Sequence, residues 1–399
     1  MTPLLVLALA ALPPASRLVI PDPSILPKLR ETLAWVSLLD RRFDPKELER
    51  GLASAGLRMF DSGSWSSIGM SGRLDVYVGA ALVVEARLEQ PDAFEALRKK
   101  PLMEVALWRK DRVARAAVGR SPHDAAELAK DLDRAKPKVP RCAAKRSAPA
   151  LLGDVPLPEV DRGVGAWFSG LAFAAWLTQE GLEVCADLVP RPAVELALGT
   201  MSARSRGLRM IELESTARGT AHLGAENLRR LAGWLGATSK DASVLSGDLE
   251  VALTERGILA IATLVAPPAK EKLRAARSEA IERLSTLLSA RFPGTRVTVI
   301  DDHLVASTGA LTEEELRSGT KKGVPAKAPM ELEVLPPKAF GALEARALRG
   351  EPGPPPMAYS MLKLGFGAFL VATPKAACTA FPRAGRLEVS CAVQRARDL

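Results

Sequence analysis

Leu177-Thr-Gln-Glu-Gly-Leu-Glu-Val-Cys-Ala-Asp-Leu-Val189 and Leu253-Thr-Glu-Arg-Gly-Ile-Leu-Ala-Ile-Ala-Thr-Leu-Val265 carry Leu, Thr, Gly, Ala, Leu and Val at the same places. Each reads as a turn at its glycine feeding an alternating strand. Ala81-Leu-Val-Val-Glu-Ala-Arg-Leu88 keeps part of the pattern, and Leu387-Glu-Val389 closes it near the carboxyl end.

The stretches immediately after these strands recur too. Pro91-Asp-Ala-Phe-Glu-Ala-Leu97 and Pro337-Lys-Ala-Phe-Gly-Ala-Leu343 share five of seven residues, and Pro192 and Pro268 stand in the equivalent place. Proline ends a strand and fits the first turn of a helix, where its missing amide is not needed. In the longest of these helices Leu273, Ala276, Ala280, Ile281, Leu284, Leu287 and Leu288 recur at three- and four-residue steps, a stripe for a sheet to cover. Second strand pairs are expected over 104–118, turning at 109–111; 208–223, turning near Gly219; 296–307, turning at Asp301-Asp302; and 362–373, turning at Gly365 to Gly367. His303-Leu-Val-Ala-Ser307 and Phe369-Leu-Val-Ala-Thr373 match. Helices then come at Ser121-Pro122, Ala225 to Leu235 and Thr312, where Glu315 completes a capping box. The expected class is α+β: mostly antiparallel sheets with helices packed on one face, built from about four degenerate strand-pair/helix/strand-pair/helix repeats.

Residues 1–16 read as a secretory signal, 17–136 as a first α+β unit with amino-terminal helices at 27–39 and 45–52, 137–160 as a basic Pro-rich linker, and 161–399 as a second domain of three copies. The run Leu4 to Leu12 is wholly apolar and is followed by Pro13, Pro14, Ala15 and Ser16. No other segment approaches the ~20 apolar residues that span a bilayer. A periplasmic or secreted protein is expected, or a cytoplasmic one if the run is a structural strand or helix.

The chain has 399 residues and a net charge of +9, from 55 Lys and Arg against 46 Asp and Glu. The surplus is local. Between Arg98 and Arg146 fifteen basic residues face six acidic ones, and the remainder balances. Arg98, Lys99, Lys100, Arg109, Lys110, Arg112, Arg115 and Arg120 are the candidates for docking an anionic envelope component or an acidic protein. A solvated face plus a charged linker is the competing reading. Nucleic acid is disfavoured, because only Trp108 interrupts the basic stretch and no binding motif appears.

Three His and four Cys leave little for metal or histidine-dependent chemistry, and no cofactor is expected. Asp301, Asp302 and His303 cluster, but an Asp-Asp hairpin turn explains them, and the sister copy has Phe369. His222 and Glu226 would share a face only if one helix covered both. The Ser62 to Gly69 segment reads as a flexible Ser/Gly turn, and no phosphate loop or nucleophile elbow occurs. Cys378 and Cys391 flank a turn at Pro382 to Gly385 and could pair; Cys185 reads as buried and Cys142 as exposed in the linker. The functional expectation is an exported, non-enzymatic binding or scaffold protein. Two alternatives stand beside it: a carrier of an apolar, lipid-like ligand between the Gly-bearing strands 164–176 and 361–371, and a hydrolase with an unrecognised site.

Overall fold

Strand pairs joined by tight turns dominate the chain. At Asp111 and Asp301 the backbone enters the left-handed region (φ 54° and 51°), which Asp tolerates better than most side chains. Each begins a two-residue loop, pairing Lys110 with Val113 and Ile300 with His303. The computed structural model describes residues 16–36, 46, 58, 60–78, 82–99, 105–118, 138–159, 164–192, 194, 207–351, 357, 359–360, 370–383 and 385–396. The fold is α+β, and its described strand pairs are antiparallel.

Two compact units make up the chain: Met1–Arg191 with Ser390–Arg397, and Pro192–Val389 with Asp398–Leu399. The first contains β1 (Ser16–Ile20), α1 (Leu26–Val36), α2 (Ser62–Ser67), β2 (Met70–Val78), β3 (Leu82–Leu88), α3 (Pro91–Arg98), β4 (Val105–Lys110), β5 (Val113–Val118), β6 (Leu151–Pro156), α4 (Val164–Trp167), β7 (Phe168–Leu177) and β8 (Gly181–Pro190). Its strands lie in the order β8-β7-β6-β1-β2-β3-β5-β4. Met70, Val83, Phe94 and Phe173 are fully buried in its core.

The second unit contains β9 (Leu208–Ile211), β10 (Ala217–His222), α5 (Ala225–Leu235), α6 (Ser239–Ala242), β11 (Leu245–Leu253), β12 (Ile258–Leu264), α7 (Glu271–Arg291), β13 (Arg296–Ile300), β14 (His303–Ser307), α8 (Glu313–Gly319), β15 (Thr320–Pro325), β16 (Met330–Val334), α9 (Pro336–Leu348) and β17 (Ala376–Arg383); β18 (Arg386–Gln394) begins in it. The order is β13-β14-β12-β11-β10-β16-β17, and β15 with β9 forms a separate two-stranded sheet. Leu259, Ile261, Val305 and Leu316 centre its core.

The two Leu-Thr-x-x-Gly segments make the same turn. Thr178 and Thr254 each donate both N–H and hydroxyl to the carbonyl of the glycine three residues on. A Cβ at Gly181 would strike the Val393 carbonyl, and one at Gly257 the Thr308 carbonyl, so neither position accepts a side chain.

Elsewhere the structure departs from the sequence reading. Within the segment expected as a linker, 151–156 is a strand: β6 lies between β1 and β7, and the two compact units divide at Arg191 and Pro192. Leu151, Gly153 and Val155 point inward, while Pro149, Pro156 and Pro158 flank the strand or end it rather than interrupt it. Gly219 is mid-strand, paired with Val251 and Leu332, and β9 and β10 do not form a hairpin. His303–Ser307 is a strand whereas Leu370 to Ala372 is helical, so similar short sequences fold differently in different surroundings. Ser62–Ser67 is a helix: Asp61 accepts the Gly63 N–H at 2.9 Å and Trp65 is buried. Val164–Trp167 is helical before β7 begins, and α7 starts at Glu271, leaving Pro268 in the preceding loop. The signal-like run, most of 45–52, Ser121-Pro122 and 361–369 lie outside the described residues.

Candidate functional site

The second unit holds a groove of roughly 590 Å³ between the first turns of α7 and the segment that joins α6 and β12 to it. Local chemistry builds one wall. Thr238 and Asp241 cap α6 reciprocally, Thr238 receiving the Asp241 N–H and donating N–H and hydroxyl to the Asp241 carboxylate, both at 2.8 Å. The other Asp241 oxygen accepts from Arg283 of α7 at 2.8 Å and 2.9 Å. Burial pushes the Asp241 carboxyl upward, but its bonds to Thr238 and Arg283 prevail and hold it below 3.8. Asp241 therefore stays ionised and pins the middle of α7 to α6.

The apolar stripe of α7 is not covered along its length. Ala280, Ile281 and Leu284 are buried, while Leu273 is 52% exposed and Ala276 open. The groove runs along these first turns, where the stripe carries alanine at 276 and 280. Val244, Val265, Leu273, Ala276 and Ala280 line it, with Val244 and Ala280 packed into the core at its floor. Lys240, Arg277 and Arg283 supply cations. Arg283 binds both Asp241 and Glu279, so that trio keeps one negative charge, and Glu279 lines the groove as well. Arg277 reaches only the Val265 carbonyl, at 3.0 Å, which leaves its charge uncompensated. Lys240 is exposed, and neither it nor Arg277 has an acidic partner among the described residues. Apolar side chains beside two cations that make no ion pair, with a surplus of one positive charge once Asp241 and Glu279 are set against Arg283, suit a molecule with an apolar body and an anionic head.

The basic candidates of the first unit are arranged otherwise. Arg109 and Arg98 both bind Glu95, at 2.6 Å and 2.9 Å. Arg115 is buried and paired with Glu85 at 2.7 Å, so it is withdrawn from any docking face. Lys99 and Arg112 are exposed; Lys110 lies at the end of β4; Lys100 and Arg120 fall outside the described residues. Farther along, Arg146 binds Glu183 and stacks on Trp176. Pairing therefore consumes part of the charge that the count suggested was free: Glu85 takes Arg115, Glu183 takes Arg146 and Glu95 is shared by Arg98 and Arg109, while Lys99 and Arg112 stay without an acidic partner among the described residues.

All four cysteines are disulfide-bonded. Cys142 bridges Cys185, with 6.2 Å between their Cα atoms, which corrects the reading of Cys142 as an exposed linker thiol. Cys378 and Cys391 are likewise bonded. Asp301 and Asp302 are exposed in their turn and His303 is buried on β14. His222 is on a strand and faces Asp248, Nδ1 to Oδ1 2.8 Å, not Glu226. No group of three or more potential metal ligands occurs among the described residues. No helix among them is long and apolar enough to cross a membrane.

A second charged cluster is structural. Fully buried Glu250 on β11 accepts the backbone N–H groups of Met210 and Ile211 and lies 3.2 Å from Arg218, so it fastens β9 to the larger sheet. Burial raises its carboxyl above 4.5, more than those N–H groups, Arg218 and Arg209 lower it.

Sequence reading missed Lys240, Asp241 and Arg277. The signal to be found was Thr238-x-x-Asp241 beside a stripe that narrows to alanine. No family model and no curated protein matches the chain. Among solved structures, crystal forms I and III of TP0453 align with it at 9% and 10% identity and a TM-score of 0.19, covering 78% of this chain and 94% and 96% of theirs; a likeness at that score carries no argument.

Proposed function

We propose that the protein is an exported, non-enzymatic binding protein whose second-unit groove takes an anionic amphiphile: an acyl or alkyl chain ending in a carboxylate or phosphate. The observation that carries this is the pairing of an open apolar wall, Leu273 and Ala276, with Lys240 and Arg277, which no carboxylate among the described residues neutralises. The volume lies within the ~300–1,000 Å³ usual for small-molecule sites. An apolar ligand is expected between the Gly-bearing segments 164–176 and 361–371 as well, of which 361–369 lie outside the described residues; the groove at α7 is the site proposed for such a molecule. Two disulfides and the Leu4 to Leu12 run favour an oxidising compartment. The repeat of strand pair and helix belongs to the same reading, with the equivalent turns at Gly181 and Gly257 as its best-preserved trace.

Calorimetric titration of the full chain with dodecyl phosphate and with dodecanol tests it. The phosphate should bind at least about tenfold more tightly, one charged contact amounting to roughly that factor. Ala276→Trp, which fills the groove from an exposed position, should abolish binding; unchanged binding would overturn the assignment. The basic segment supports a second reading, docking of an anionic envelope component, because Lys99 and Arg112 are exposed with no acidic partner among the described residues. Lys99→Ser with Arg112→Ser should then weaken binding to lipopolysaccharide, and equal binding would exclude it.

A further inference from the structure

The far end of α7 carries a different feature. Trp234, at the last turn of α5, is 54% exposed, and Phe292, just after α7, is 44% exposed. Their ring centroids are 5.9 Å apart. The Arg291 guanidinium lies over the Trp234 ring at 4.9 Å. Core packing does not account for two large aromatic side chains that meet each other and remain half in solvent. Arg296, exposed at the start of β13 four residues beyond Phe292, and Arg291 have no acidic partner among the described residues. Arg230, one turn before Trp234, shares Glu226 with Arg229, so that trio keeps one positive charge.

We infer that this aromatic-arginine patch docks the second unit on an anionic lipid surface. Trp and Phe suit a layer that is apolar on one side and wet on the other, and arginine pairs with phosphate there while its stem remains against the ring. Uncompensated cations beside exposed aromatics favour lipid over a second copy of the chain, whose identical patch would bring like charges together. The patch stands about 20 Å along α7 from Arg277, by the helical rise, so docking and groove binding involve separate residues.

The test is sedimentation of the full chain with vesicles of phosphatidylcholine alone and of phosphatidylcholine with phosphatidylglycerol. Wild type should bind the anionic vesicles and not the neutral ones. Trp234→Ser with Phe292→Ser should weaken binding by roughly tenfold, and Arg291→Gln or Arg296→Gln by about fivefold each. All four positions are exposed, so folding is preserved and is checked by circular dichroism. Lys240→Gln with Arg277→Gln, which disables the groove, should leave vesicle binding intact. Equal binding by wild type and the aromatic variant, or loss in Lys99→Ser with Arg112→Ser instead, would overturn the proposal. So would a dimer in wild type that the aromatic variant dissolves.

Discussion

The β4–β5 hairpin of the first unit and α7 of the second both present arginines, and their surroundings give those arginines opposite roles. In the hairpin region Glu95 serves Arg98 and Arg109, and Glu85 serves buried Arg115. On α7 Arg283 is served by carboxylates, through Asp241 and Glu279, while Arg277 spans to a carbonyl and keeps its charge. Local charge density therefore does not locate a binding site. The cations left over after pairing are the candidates: Lys240 and Arg277 in the proposed groove, and Lys99 and Arg112 in the basic segment.

The largest effect should come from breaking what ties the basic segment down. Cys142→Ser removes a bridge across a sequence separation of 43 and should cost about 4 kcal/mol, read as a lower unfolding midpoint that reductant reproduces in wild type. An unchanged midpoint would mean that the segment is loosely held, as a linker would be. Leu284→Ala should cost about 3 kcal/mol by leaving a cavity where α7 is buried, whereas Leu273→Ala at its open end should cost almost nothing and weaken amphiphile binding. Equal costs in urea unfolding would mean that α7 packs uniformly and the groove closes. Arg115→Ala, which strands Glu85, should cost about 2 kcal/mol, against under about 1 kcal/mol for Arg109→Ala on the surface.

The smallest effect separates two carboxylates of the second unit. Glu250 is raised in the folded state, so its contribution is complete below the unfolded value near 4.5 and is lost as pH rises through the folded one. The stability margin of wild type over Glu250→Gln should shrink with rising pH. Asp241 is lowered, so the margin over Asp241→Asn should hold above 3.8 and shrink as pH falls below it. Urea unfolding across that range checks both slopes, and margins independent of pH would contradict them.

The strand pairs at 104–118 and 296–307, the Pro-started helix at Pro91 and the Thr312 capping box were legible because each rests on local rules: alternation, turn chemistry and capping. The failures were non-local. Whether 151–156 is linker or strand depends on β1 and β7, and β1 lies far away in sequence. Cys142 finds Cys185 only once that strand is placed. The groove was illegible for the same reason. Leu273, Ala276 and Ala280 have the spacing of a covered stripe, and only the position of α7 beyond β12 shows that the first turns lack a cover. The patch at Trp234 and Phe292 joins residues from separate elements, and neither local sequence announces it.

Calorimetric titration with dodecanoate of wild type, Lys240→Gln with Arg277→Gln, and Arg98→Gln with Arg109→Gln tests most directly the claim that unpaired cations mark the site. Binding should weaken by about tenfold for each charged contact removed from the groove and be unchanged in the hairpin variant. Loss in the hairpin variant with full binding in the groove variant would contradict it.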